Sequence, residues 1–179
     1  MDIKLGFGAI PRPQYIFVNR EADYCWYMLS EDNRQIFIPE KALTCVITGI
    51  DCNKKVETQF GSAYKTDLSV LADKPYVIRS GRESHFSRSL LRSLDALSLE
   101  QLQNPLTITV NPGDRTVVFC NIYDPATYRV IRTNTEEIDL QVLENRVIQK
   151  VNQVTNLNLV VTDVPEVATP SESHQVMVA

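Results

Sequence analysis

Residues 42–81 read ALTCVITGIDCNKKVETQFGSAYKTDLSVLADKPYVIRSG, and the alternation inside this stretch decides the fold. In Ala42–Asp51, Leu43, Cys45 and Ile47 alternate with Thr44, Val46 and Thr48, the pattern of a half-buried strand. Gly49 near its end permits a bend. Cys52-Asn53-Lys54-Lys55 reads as a polar tip, after which a second long strand runs from Val56 to Leu71. There Phe60, Tyr64, Leu68 and Val70 share one parity and Lys65, Asp67 and Ser69 the other, with Gly61 as a bulge point. Asp73-Lys74-Pro75 turns the chain into a third strand, Tyr76–Ser80, which Gly81 ends.

Working outward from this stretch, a helix is expected from Arg82 or Ser84 to Leu97. Phe86, Leu90, Leu94 and Leu97 form one stripe at helical spacing. Ser80 with Glu83 reads as a capping box and Ser84 as a later N-cap, while Ser98 with Gln101 starts a short further turn that Asn104-Pro105 stops. Two more strands follow, Leu106–Val110 and Thr116–Tyr123, joined by the turn Asn111-Pro112-Gly113-Asp114. On the N-terminal side Gln14–Val18, Asp23–Leu29 and Gln35–Pro39 read as strands, with Glu31–Arg34 as a hairpin turn. On the C-terminal side Glu136–Val154 reads as a helix whose narrow stripe is Leu140, Leu143, Val147, Val151 and Val154.

The order strand, strand, strand, helix, strand, strand over residues 42–133 resembles the OB-fold, a five-stranded Greek-key barrel whose helix plugs the open end between strands three and four. A ferredoxin-like fold would want a helix directly after the first strand, and an immunoglobulin-like sandwich would not carry one in mid-chain. The expected organisation is therefore an N-terminal β-hairpin extension over 1–41, the barrel over 42–133, a C-terminal helix over 134–157 and a mobile tail over 158–179. The whole resembles bacterial single-stranded DNA-binding proteins and the barrel domains of replication protein A. In the latter family a helix after the barrel mediates association, and Glu136–Val154 sits at the matching place. Its narrow stripe resembles a helix–helix seam, so the expectation is either a homo-oligomer through residues 136–154 or docking of that helix on its own barrel. The bacterial proteins end in an acidic tip closed by phenylalanine, whereas this chain ends Gln175–Ala179.

That resemblance implies a non-enzymatic binder of single-stranded nucleic acid, DNA before RNA, working without cofactor or metal. Cations around the second and third strands would track phosphates: Lys54, Lys55, Lys65, Lys74, Arg79 and Arg82, joined by Arg115 beside the later turn. Phe60 is the expected exposed stacking ring, whereas Tyr64, on the parity of Leu68 and Val70, is expected in the core. Trp26 is expected to pack the N-terminal hairpin on the barrel, and Arg88 and Arg92 read as outer-face charges. The net charge of −4 offers no overall cationic field, which favours the alternative reading of the barrel as a scaffold for a protein partner.

No spacing ties a nucleophile to a base. His85 reads as a helix N-terminal residue making local contacts, and phosphate-cradling loops are absent. Four cysteines without a CxxC pair, with only two histidines, read as buried free thiols in a reducing compartment. The first thirteen residues, MDIKLGFGAIPRP, lack a long apolar run, so neither a signal peptide nor a membrane span is expected there, and the cytoplasm is the expected location.

Overall fold

The structure, a computed structural model, describes residues 5–161. Nine strands and three helices follow in the order β1 (Gln14–Glu21), β2 (Tyr24–Leu29), β3 (Gln35–Phe37), β4 (Ala42–Thr58), β5 (Gly61–Leu71), β6 (Pro75–Gly81), α1 (His85–Ala96), α2 (Leu99–Gln103), β7 (Leu106–Pro112), β8 (Val118–Asp124), β9 (Arg129–Val130) and α3 (Leu140–Val161). The strands form one mixed sheet ordered β3-β2-β1-β6-β5-β4-β7-β8-β9. All neighbours are antiparallel except β1 and β6, which pair in parallel from Gln14↔Tyr76 to Phe17↔Arg79.

The five-stranded OB barrel therefore does not form; the architecture is an open nine-stranded sheet with three helices. The reason lies at the two edges that would have to meet. β1 occupies the free edge of β6, so that edge is already hydrogen-bonded. On β8, β9 pairs at Tyr123 and Asp124, and the backbone N–H of Cys120 donates instead to the Ser89 hydroxyl on α1 at 2.8 Å. A helix hydroxyl thus satisfies the strand edge, as buried backbone groups require. The N-terminal strands extend the sheet at the β6 edge.

Strand β4 is the pivot. Its first residues, Ala42–Cys45, pair with β7, and the remainder, from Val46 to Thr58, pairs with β5. Register shifts at Ile47/Gly49 and Asp51/Lys54 let one strand serve both neighbours, the work of β-bulges. The polar run Cys52–Lys55 is accordingly not a hairpin tip but strand: the bulge absorbs the irregularity and the alternation continues. The turn lies at Gln59-Phe60, where Thr58 opposes Gly61, and Gly61 takes φ 112°, a conformation open to glycine. In the β7–β8 turn the left-handed residue is Arg115 (φ 53°), not Gly113. Gly113 is needed for space, since a Cβ there would lie 2.7 Å from the Phe119 ring.

The core lies between one face of the sheet and the helices. Ile16, Trp26, Leu68, Val70 and Ile78 point into it from the sheet, and Phe86, Leu90, Leu91 and Leu94 from α1. Each fully buried side chain of this size contributes about 1.5–3 kcal/mol. Trp26 packs in this core rather than on a barrel, its indole N–H donating to the Glu40 carbonyl at 2.7 Å. Ser84 caps α1 by accepting from the Ser87 N–H, and Ser98 with Gln101 closes a reciprocal capping box on α2.

On α3, Leu143, Val147, Val151 and Val154 are all buried in this same core. Four of the five stripe residues thus dock on the chain's own core, the alternative to a helix–helix seam between copies. α3 starts at Leu140 instead of Glu136 and runs past the expected Val154 to Val161, into the segment expected as a tail over 158–179; the rest of that segment lies outside the described residues. Among the described residues no helix is long and apolar enough to cross a membrane.

Candidate functional site

Strand register builds the site. Cα partners face the same side of a sheet, and one unbroken row crosses six strands: Phe37 (β3), Tyr27 (β2), Phe17 (β1), Arg79 (β6), Asp67 (β5) and Asp51 (β4). The intervening residues Ile16, Trp26, Leu68 and Ile78 belong to the core, so this row lies on the opposite face, away from the helices. Val77, two residues from Arg79, is buried yet stands outside the core cluster, as a residue on that second face should.

Half of this face is aromatic. Phe17 and Tyr27 lie near-parallel with ring centroids 5.3 Å apart; Tyr15 extends the line 6.1 Å beyond Phe17. Phe37 meets Tyr27 edge-on at 6.1 Å and stacks with Tyr24 at 5.1 Å. Cross-strand aromatic pairs of this kind hold strands together, but among the described residues no helix covers these rings, and Tyr15 and Tyr24 are 37% and 38% exposed. The other half is charged. Arg79 donates from Nε and Nη2 to the two oxygens of Asp67 at 2.7 and 2.6 Å, and its guanidinium lies 4.6 Å from the Tyr15 ring. The hydrogen bonds to Asp67 raise the Arg79 pKa above its ordinary value, against the pull of burial. Lys54 and Lys65 sit directly opposite each other on the same face. Like charges so placed repel, and neither has a carboxylate within salt-bridge distance among the described residues.

The expected site residues divide accordingly. Lys54, Lys65 and Arg79 come together on the aromatic face. Lys74 lies at its rim in the β5–β6 turn, its ammonium 5.6 Å from the Tyr76 ring. Lys55, opposite Tyr64, pairs with Glu57 at 3.2 Å on the β4–β5 hairpin. Phe60 is 91% exposed at that hairpin's turn, and Tyr64, though on the core parity, lies past the end of the core and is 50% exposed. Arg115 stands in the β7–β8 turn. Arg82 is engaged elsewhere: its Nε and Nη2 donate to both oxygens of Glu144 on α3, at 2.8 and 2.7 Å. Tyr15, Phe17, Tyr24, Tyr27 and Phe37, which form the aromatic half of the face, are not among the residues expected from the sequence. Their signal was present, since Tyr15 and Phe17 alternate with Ile16 and Val18, marking a strand apolar on both faces.

All four cysteines are free and buried. Burial pushes the thiols of Cys45 and Cys52 up to about 12, with Glu144 adding to the shift at Cys52, and raises Cys120 as well. At neutral pH Cys45, Cys52 and Cys120 are small apolar groups rather than nucleophiles. Among the described residues no cluster of histidine, cysteine and carboxylate side chains could hold a metal ion. In comparisons with protein-family models, curated proteins and solved structures, no match to this chain was found.

Proposed function

We propose that this chain binds single-stranded nucleic acid without catalysis, its bases stacking on Tyr15, Phe17, Tyr27 and Phe37 and its phosphates reaching Lys54 and Lys65. The aromatic row on the helix-free face carries the reading: bases stack on such rings whatever their identity, each contributing about 1–3 kcal/mol. The unneutralised lysine pair beside it supplies the anion preference. The binding surface is thus an open sheet face instead of a barrel groove. Four buried thiols suit a reducing compartment, and the cytoplasm is the natural one.

The test is fluorescence anisotropy of labelled DNA and RNA single strands, with a duplex as control, at low salt. Single strands bind and the duplex binds more weakly. Phe17→Ala and Tyr27→Ala each weaken binding by about five-fold or more, following the stacking range, with far-UV circular dichroism unchanged. Absence of binding to any single strand at low salt overturns the proposal. It would leave the rings as a docking face for a protein partner, a reading favoured by the net charge of −4.

A further inference from the structure

We propose a second binding site: the cleft between α1, β8 and the segment entering α3 takes a small organic anion, with a phosphate or carboxylate head and an apolar body. The cleft has a volume of about 370 Å³, within the range of small-molecule sites. It lies on the helix side of the sheet, away from the aromatic row, and does not depend on the nucleic-acid reading.

The lining residues supply both donors and apolar surface. His85, Arg88 and Arg92 come from successive turns of α1, Asn121 from β8, and the apolar wall includes Phe119 and Leu143. Among the described residues no carboxylate lines the cleft. Ser89 and Ser93 also border it, but their hydroxyls donate to α1's own carbonyls and are spent. Asp95, the next acidic residue along α1, is held by Arg146 at 2.6 Å.

Arg92 decides the matter. Four arginines among the described residues are half-buried: Arg20, Arg79, Arg82 and Arg92. Arg20 donates to the carbonyls of Ala22 and Gly113, Arg79 to Asp67 and Arg82 to Glu144. Arg92 has no hydrogen-bond or salt-bridge partner among the described residues, and its nitrogens keep contact with solvent, so its guanidinium borders the cleft free to take a ligand. With Arg88 one turn away, its fork suits the paired oxygens of a phosphate or carboxylate. The His85 ring, held edge-on to Phe119 at a centroid distance of 5.3 Å, borders the place where a planar apolar body would lie.

The experiment is a ¹⁵N–¹H titration of the full chain with phenyl phosphate, phenylacetate and inorganic phosphate. At least one aromatic anion binds with a Kd of about 1 mM or tighter, moving amide signals of α1 and β8. A preference for phenyl phosphate assigns a phosphate head, and a preference for phenylacetate a carboxylate head. Arg92→Gln and Arg88→Gln, each checked for an unchanged amide spectrum elsewhere, weaken binding about ten-fold, whereas Phe17→Ala leaves it unchanged. The proposal is overturned if neither aromatic anion binds at about 10 mM, if Arg92→Gln binds as tightly as the parent, or if inorganic phosphate alone binds as well as phenyl phosphate.

Discussion

Glu144 is 1% exposed, and a carboxylate at that depth needs a cation beside it. Arg82 provides it through two hydrogen bonds, and its remaining reach goes to the Gln141 side-chain oxygen at 3.0 Å. The pair fastens the end of β6 to α3. Replacing Arg82 with methionine strands a buried charge, so Arg82→Met should destabilise the protein by ~3–5 kcal/mol. Arg82→Met combined with Glu144→Leu should recover most of the loss, because an apolar pair of similar volume needs no compensation. Urea unfolding of the parent, single and double variants decides it; a single variant as stable as the parent would mean that the pair holds nothing. In the sequence Arg82 is one cation in a basic run, and nothing local distinguishes it from Lys65. Its partner lies 62 residues further on, and only the path of the chain brings the two together. Arg79 has the same history with Asp67: i and i+12 are neighbours only once β5 and β6 pair.

At the scale of elements, α3 offers the clearest test. Leu143, Val147, Val151 and Val154 are 3%, 0%, 2% and 3% exposed, sealed against β4 and α1. Val147→Lys and Val151→Lys should each lower stability by at least ~2 kcal/mol while the sedimenting mass of the folded protein stays that of the parent. A change of mass at constant stability would show the stripe to be a contact between copies. Such elements were legible where their signals are local. The Ser84 cap, the Ser98–Gln101 box, the stripe of α1 and the alternation of β7 and β8 are all set by residues a few positions apart. The tip at Cys52–Lys55 was misplaced because a polar run in a strand looks like a turn, and a bulge leaves no mark of its own in the sequence. The parallel pairing of β1 with β6 was not legible either. Alternation says that Tyr15–Phe17 forms a strand but carries no information about which edge it meets, and that one pairing separates an open sheet from a closed barrel.

For the whole molecule, the distribution of charge sets how binding should respond to salt. The chain carries a net charge of −4, and two cations that a basic cluster would have contributed, Arg79 and Arg82, are already neutralised by Asp67 and Glu144. Lys55 is paired with Glu57. On the aromatic face Lys54 and Lys65 remain, with Lys74 and Arg12 bordering the hollow beside Tyr15 and Phe17. Each phosphate neutralised on a single strand changes the slope of log K against log salt by about −0.7. The lysine pair alone therefore gives a slope of about −1.4, and all four cations about −2.8. Stacking is insensitive to salt, so affinity should decline gently and a substantial part should survive at moderate ionic strength. Lys54→Ala with Lys65→Ala should flatten the slope by about 1.4, whereas Phe17→Ala should lower affinity at every salt concentration and leave the slope unchanged. Anisotropy titrations across a salt series measure both quantities at once. A slope steeper than about −4 would require more phosphate contacts than this face can make, and would move the binding surface away from the aromatic row.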